Sequence, residues 1–222
     1  MARLIGTTLV AVLVFGLNGV GRAADAKDAT AILNKAIKAL GGEEKLSKAR
    51  AISWKTKGTI TFGGNDNPIT AHATAQGLDH FRQEAEGEFG GTQVKFVTVL
   101  AGDKAWRKFG DNSMELDKDQ VANEKRNVYL TVIPITLLPL KGKEFKVEAV
   151  GEENVGGKPA AGVKATGPDG KDLRIYFDNE SGLPVKLVAK VMDFQGNERT
   201  QETTFGNYKE MAGVKKATKI QA

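Results

Sequence analysis

The sequence predicts a mainly β protein of the α+β kind: one large, curved antiparallel sheet, or incomplete β-barrel, of about eleven strands, with two helical segments plugging its concave face. Three observations carry this. Apolar and polar residues alternate over short runs for most of the chain. Clusters of Gly, Asn, Asp and Pro separate those runs at hairpin spacing. Helical periodicity occurs only near the start and in the middle, where it runs into the uncharged stretch NVYLTVIPITLLPL.

The chain opens on MARLIGTTLVAVLVFGLNGVGRAADA. Arg3 gives a positive start, Leu9 to Leu17 an apolar centre, and Gly21 to Ala24 small residues for a cleavage site. Residues 1–24 are therefore expected to be a removed signal peptide. An anchor helix is the competing reading, disfavoured by the short run and by Asn18 within it. Residues 25–222 are expected to form one domain, with a helix-and-lid insertion at about 117–140. There is no cysteine, so no disulfide supports the fold and no lipid-accepting cysteine is present. The expected location is the periplasm or the exterior, as a free monomer. Losing Arg3 and Arg22 lowers the formal net charge from +5 to +3, and charges of both signs are interspersed. That disfavours nucleic acid as a partner.

The first element is a helix in DATAILNKAIKALGGEEKL. Asp28 is expected to cap it, Ile32, Leu33, Ala36, Ile37 and Leu40 share a face, and Gly41-Gly42 ends it. Period two follows. In ISWKTKGTITF, Ile52, Trp54, Ile60 and Phe62 fall on one side and Ser53, Lys55, Lys57, Thr59 and Thr61 on the other. Similar runs are expected at about 69–76, 80–88, 92–100, 105–109, 145–150, 161–166, 173–177, 185–194, 200–208 and 214–220. Turns are expected at Gly64-Asn65, Gly90-Gly91, Gly102-Asp103, Gly156-Gly157, Pro168-Asp169-Gly170, Asn179 to Gly182 and Gly196-Asn197.

Between the fifth and sixth of these runs the pattern changes. Asp117 or Asp119 is positioned to cap a second helix, with Val121, Ala122, Val128, Tyr129, Val132 and Ile133 on one stripe. Pro134 is expected to end it, and ITLLPL to continue as irregular chain. This stretch is too short and too interrupted to cross a bilayer, which takes about 20 apolar residues. It either caps a closed core or forms a lid over an apolar cavity, and pattern alone leaves both open.

No arrangement for catalysis is found. G-x-S-x-G, H-E-x-x-H, a P-loop and a cysteine nucleophile are all missing, so the chain is read as non-enzymatic and without cofactor. His72 and His80 are too few for a metal site. Glu84, Glu86 and Glu88 share one side of a strand and are read as a solvated outer face, with Lys55, Lys57 and Lys95 opposite. Trp54 is placed on the apolar face, and the side of Trp106 is left open.

Three stretches carry a resemblance. AILNKAIKALGGEEKL resembles the opening helix of the LolA/LolB-like outer-membrane lipoprotein-sorting proteins, IYFDNESGLPVKL their strand–turn–strand, and FGNYKEMAGVKKATKI their closing hairpin. The resemblance implies an incomplete barrel plugged by helices, and a soluble carrier that holds lipid or lipoprotein acyl chains in an apolar cavity. An inner-membrane donor and an outer-membrane acceptor would then be its partners. The chain departs from the family pattern in ending GVKKATKI without the usual proline, and no residue can be assigned as the lid-latching arginine. On this reading Ile52, Trp54, Ile60 and Phe62 line the cavity together with Val185, Leu187 and Val191. Val132, Ile133, Ile135, Leu137 and Leu138 form the lid. The alternative is an envelope regulator or scaffold that binds another protein on the concave face.

Overall fold

A computed structural model describes residues 26–62, 64–193 and 196–222. The expected signal peptide lies outside them, as do Phe194 and the side chain of Phe62. Two helices come first, α1 (Ala26–Leu40) and α2 (Glu43–Lys48). Six strands follow: β1 (Ile52–Phe62), β2 (Asn65–Gln76), β3 (His80–Phe89), β4 (Thr92–Ala101), β5 (Lys104–Phe109) and β6 (Asn112–Glu115). Helix α3 (Lys118–Thr136) and a 3-10 turn (Leu138–Lys141) lead to β7 (Lys146–Val155), β8 (Lys158–Thr166), β9 (Asp172–Asp178), β10 (Pro184–Met192) and β11 (Glu198–Gly206). A small hairpin, β12 (Lys209–Met211) and β13 (Val214–Lys216), precedes the final strand β14 (Lys219–Gln221).

The strands form two six-stranded antiparallel sheets, ordered β1-β2-β3-β4-β5-β6 and β14-β11-β10-β9-β8-β7, and neither closes into a barrel. The mainly β, antiparallel, unclosed architecture agrees with the sequence. The expected single sheet is instead two, because the chain passes from one to the other through α3 and, among the described residues, no strand pairs across that helix. Every expected turn does join two strands. The β9–β10 turn shows why its residues are needed: one Asp178 carboxylate oxygen accepts from the Ser181 N–H at 2.6 Å and from its hydroxyl at 2.7 Å.

Helix α1 buries Ala29, Leu33, Ala36, Ile37 and Leu40 against the second sheet. It begins at Ala26, so Asp28 sits in the first turn and does not cap it. There its charge still favours the helix dipole. Gly41 follows with φ 133°, and a Cβ on it would lie 2.6 Å from the Gly213 carbonyl oxygen. Glycine is therefore what lets the β12–β13 turn pack against the end of α1.

Helix α3 is capped by Asp117, one of the two expected candidates, in a reciprocal capping box with Gln120. The helix departs from expectation in two ways. It runs through Pro134 to Thr136, and Leu137 then turns left-handed (φ 59°), its N–H bonded to the Ile133 carbonyl at 2.8 Å. The proline does cost a helical hydrogen bond. Burial of Val132, Ile133, Pro134 and Leu137 between the sheets offsets that cost. Finally, its apolar residues make two faces, not one stripe. Val121, Val128 and Val132 join the core of the first sheet, with Phe81, Leu100 and Ala105. Tyr129, Ile133 and Leu137 join the core of the second, with Val163, Ile175 and Leu187. Ala122 is exposed.

Candidate ligand-binding face

Antiparallel register fixes which residues share a side of the first sheet, because directly opposed side chains point the same way. The row nearest α3 is Ile52, Ala75, Phe81, Leu100 and Ala105. Two residues along lie Trp54, Ala73, Gln83, Thr98, Arg107 and Met114. Beyond them come Thr56, Ala71, Ala85, Phe96 and Phe109, then Gly58, Ile69, Gly87 and Val94. Ile60, opposite Asn67, comes last.

The first row is packed under α3, together with Trp54 and Ala73 of the second. Further out the inner face stays mainly apolar but, among the described residues, loses its cover. Phe109 is 53% exposed, Ile60 38% and Met114 57%, while Ile69, Phe89, Val94 and Phe96 are half-buried. The rings of Phe89, Phe96 and Phe109 meet edge to face, with centroids 5.9 and 5.0 Å apart in succession. Gly58, Ala71, Ala85 and Gly87 place nothing larger than a methyl group between this ladder and Ile60 and Ile69. The result is an apolar floor with aromatic walls, open to water. Its chemistry suits a flexible apolar chain.

Polar contacts bind α3 to both sheets. Arg107 on the inner face of the first sheet donates to the buried Glu124 carboxylate of α3. Lys125 donates to Asp103, at the β4–β5 turn, at 2.5 Å. On the opposite side Arg126 is buried and donates to the carbonyls of Asp172 and Lys171 and to the Asp169 carboxylate. Burial lowers the Arg126 pKa, and the carboxylates of Asp169 and Asp172 oppose that shift.

The outer face of the first sheet is a charge lattice, as expected of the glutamate strand. Lys95 bridges Glu86 at 3.1 Å and Glu84 at 3.5 Å, and Arg82 also pairs with Glu84. His72 bonds the Ser53 hydroxyl at 2.8 Å, and His80 lies 3.1 Å from the Asp79 carboxylate. Trp106 is on this outer side, opposite Val99 and Glu115.

The expected lining residues do not meet in one cavity. Ile52 and Trp54 are partly buried against the core below α3, and Ile60 lies on the open floor. Val185, Leu187 and Val191 belong to the second sheet. Leu187 is buried in the core shared with α1, and Val191 is buried too. Val185 lines a separate cleft of about 640 Å³ with Phe205 and Tyr208. Of the expected lid, Val132, Ile133 and Leu137 are buried between the sheets, whereas Ile135 and Leu138 are half-exposed. Sequence reasoning missed Phe89, Val94, Phe96, Phe109 and Met114. In TQVKFVTVLA both phases carry apolar residues, Val94, Phe96 and Leu100 on one and Val97 and Val99 on the other. Only the register tells them apart.

No family model matches the sequence, and no curated protein does. The fold does have solved counterparts. A LolA superfamily protein from Nitrosomonas europaea superposes with a TM-score of 0.53 at 10% identity, over 86% of this chain and 83% of that one. An outer membrane lipoprotein-sorting protein domain from Vibrio parahaemolyticus gives 0.48 at 10% identity, over 85% and 84%. At such identities the likeness is one of fold.

Proposed function

We propose, with the LolA-like fold as premise, that this chain is a non-enzymatic envelope carrier that holds the acyl chains of a lipid or lipoprotein. The ligand would lie on the uncovered inner face of the first sheet, beside α3. The observation that carries this is the ladder of half-buried Phe89 and Phe96 and exposed Phe109, on the same face as Ile60 and separated from it by small residues. Each methylene laid there gains about 0.8 kcal/mol, so an acyl chain would supply cover that the described residues do not. Helix α3 would act as the lid. Three valines, Arg107 and Asp103 hold it to the first sheet, and moving it from that side would lengthen the apolar floor towards Phe81 and Leu100. Such a carrier would work in the periplasm, between an inner-membrane donor and an outer-membrane acceptor.

The test is Phe109→Asp. It is expected to weaken binding of a fluorescent fatty-acid probe by about tenfold or more, while the lost ring contact with Phe96 costs only about 0.5–1.5 kcal/mol and the fold is kept. Protein expressed with its leader and recovered from the periplasm is expected to carry near-stoichiometric lipid by mass spectrometry. Lipid-free protein whose envelope partner is lost on Phe109→Asp would favour the regulator reading.

A further inference from the structure

The β12–β13 hairpin is a second place where the molecule presents apolar side chains to water. Its tip reads Met211-Ala212-Gly213-Val214. Met211 is 46% exposed, and Ala212 is exposed at φ 51°. A two-residue turn of this kind accepts Asn or Gly without strain at that position and disfavours alanine. The chain thus holds an exposed apolar residue in this turn against its backbone preference.

Lysines cluster around this tip. Lys209 and Lys216 stand directly opposite one another across the hairpin, an arrangement that destabilises a strand pair. Lys215 is exposed beside them, opposite Glu210, and the stem of Lys45 from α2 passes over Gly213. Among the described residues, none of these four lysines has an ion-pair partner. The nearby acids Glu43 and Glu44 are engaged with Lys141 and Lys48.

An exposed apolar tip ringed by unpaired lysines matches the surface of an anionic bilayer. A protein pocket is a poorer fit, because the tip offers no Trp, Tyr or Arg anchor, and lysine is a point charge without the directional fork that arginine brings to a carboxylate. We propose that this hairpin docks the chain on an anionic lipid surface, with Met211 and Ala212 entering the headgroup layer and Lys45, Lys209, Lys215 and Lys216 facing the phosphates. This docking is separate from the carrier site, which lies on the other sheet.

The experiment is co-sedimentation of the protein, expressed with its leader and recovered from the soluble fraction, with lipid vesicles. Binding is expected on vesicles of about 30% phosphatidylglycerol in phosphatidylcholine, not on phosphatidylcholine alone, and it should disappear at about 0.5 M salt. The pair Lys209→Glu and Lys215→Glu is expected to weaken it about tenfold or more. Met211→Ser should weaken it severalfold at constant salt. Phe109→Asp should sediment like wild type, which separates failure here from failure of the carrier reading. Absence of wild-type binding, equal binding to both vesicle types, or wild-type binding by the two-lysine variant would overturn the proposal. Full binding by Met211→Ser would overturn insertion of the tip.

Discussion

Arg126 is the most buried charged residue among those described, and its partners show how that is tolerated. Two backbone carbonyls and the Asp169 carboxylate accept from its Nη1 and Nη2, while Nε is buried without a partner among the described residues, so the guanidinium ties α3 to the β8–β9 turn. Arg126→Met keeps the bulk and removes the donors. A loss of about 2–3 kcal/mol in urea unfolding is expected. Gly162 marks a different constraint, because a Cβ there would lie 2.7 Å from Val150 Cγ2 and 2.9 Å from Tyr176 Cε1. Gly162→Ala should cost about 1–3 kcal/mol through overpacking. Acid sensitivity comes from carboxylates such as Glu148, which hydrogen bonds from Lys146 and Lys164 hold down at about 2, from an ordinary 4.5. A depressed folded pKa means that the pair stabilises the fold above pH 4.5 and stops doing so as pH falls towards 2. Glu148→Gln is therefore expected to flatten the acid limb of a stability–pH curve across that window.

At the scale of elements, hairpins were the most legible part of the sequence. Gly90-Gly91 and Pro168-Asp169-Gly170 name their turns through residues that tolerate the required backbone, and strands followed on either side. The glutamate strand was legible as well, since period two leaves Glu84 and Glu86 little choice but the solvated face. The four-residue β6 was not, because all its side chains are exposed and nothing alternates. Helix α3 was half legible. Its start is written in Asp117 and Gln120, but its end depends on tertiary burial that overrides Pro134. Its two faces cannot be separated until the sheets on either side are known. Two neighbouring isoleucines of α3 turn this into a prediction. Ile133 is fully buried, so Ile133→Asp places an unpaired carboxylate in the core and should abolish the cooperative thermal transition. Ile135 is half-exposed, so Ile135→Asp should keep the β-sheet circular dichroism and cost about 1 kcal/mol or less.

The molecule as a whole is asymmetric in how its two sheets are covered. The inner face of the second sheet lies beneath α1 and α3, with Val163, Ile175 and Leu187 buried. Among the described residues the first sheet is covered by α3, which packs on its first row and on Trp54 and Ala73 and leaves Phe109, Met114 and Ile60 exposed. That difference places the candidate site on the first sheet, whereas the sequence had divided its candidates between both. Ligand binding at an open face adds contacts that the unfolded chain cannot make, so a saturating fatty acid at about 100 times its Kd should raise stability by roughly 2.7 kcal/mol. The most direct measurement is photo-crosslinking with a diazirine-tagged fatty acid, followed by peptide mapping. Label is expected on β3, β4 and β5, around Phe89, Phe96 and Phe109, competed by unlabelled fatty acid. Competable label confined to the second sheet, or no competable label on the first, would contradict it.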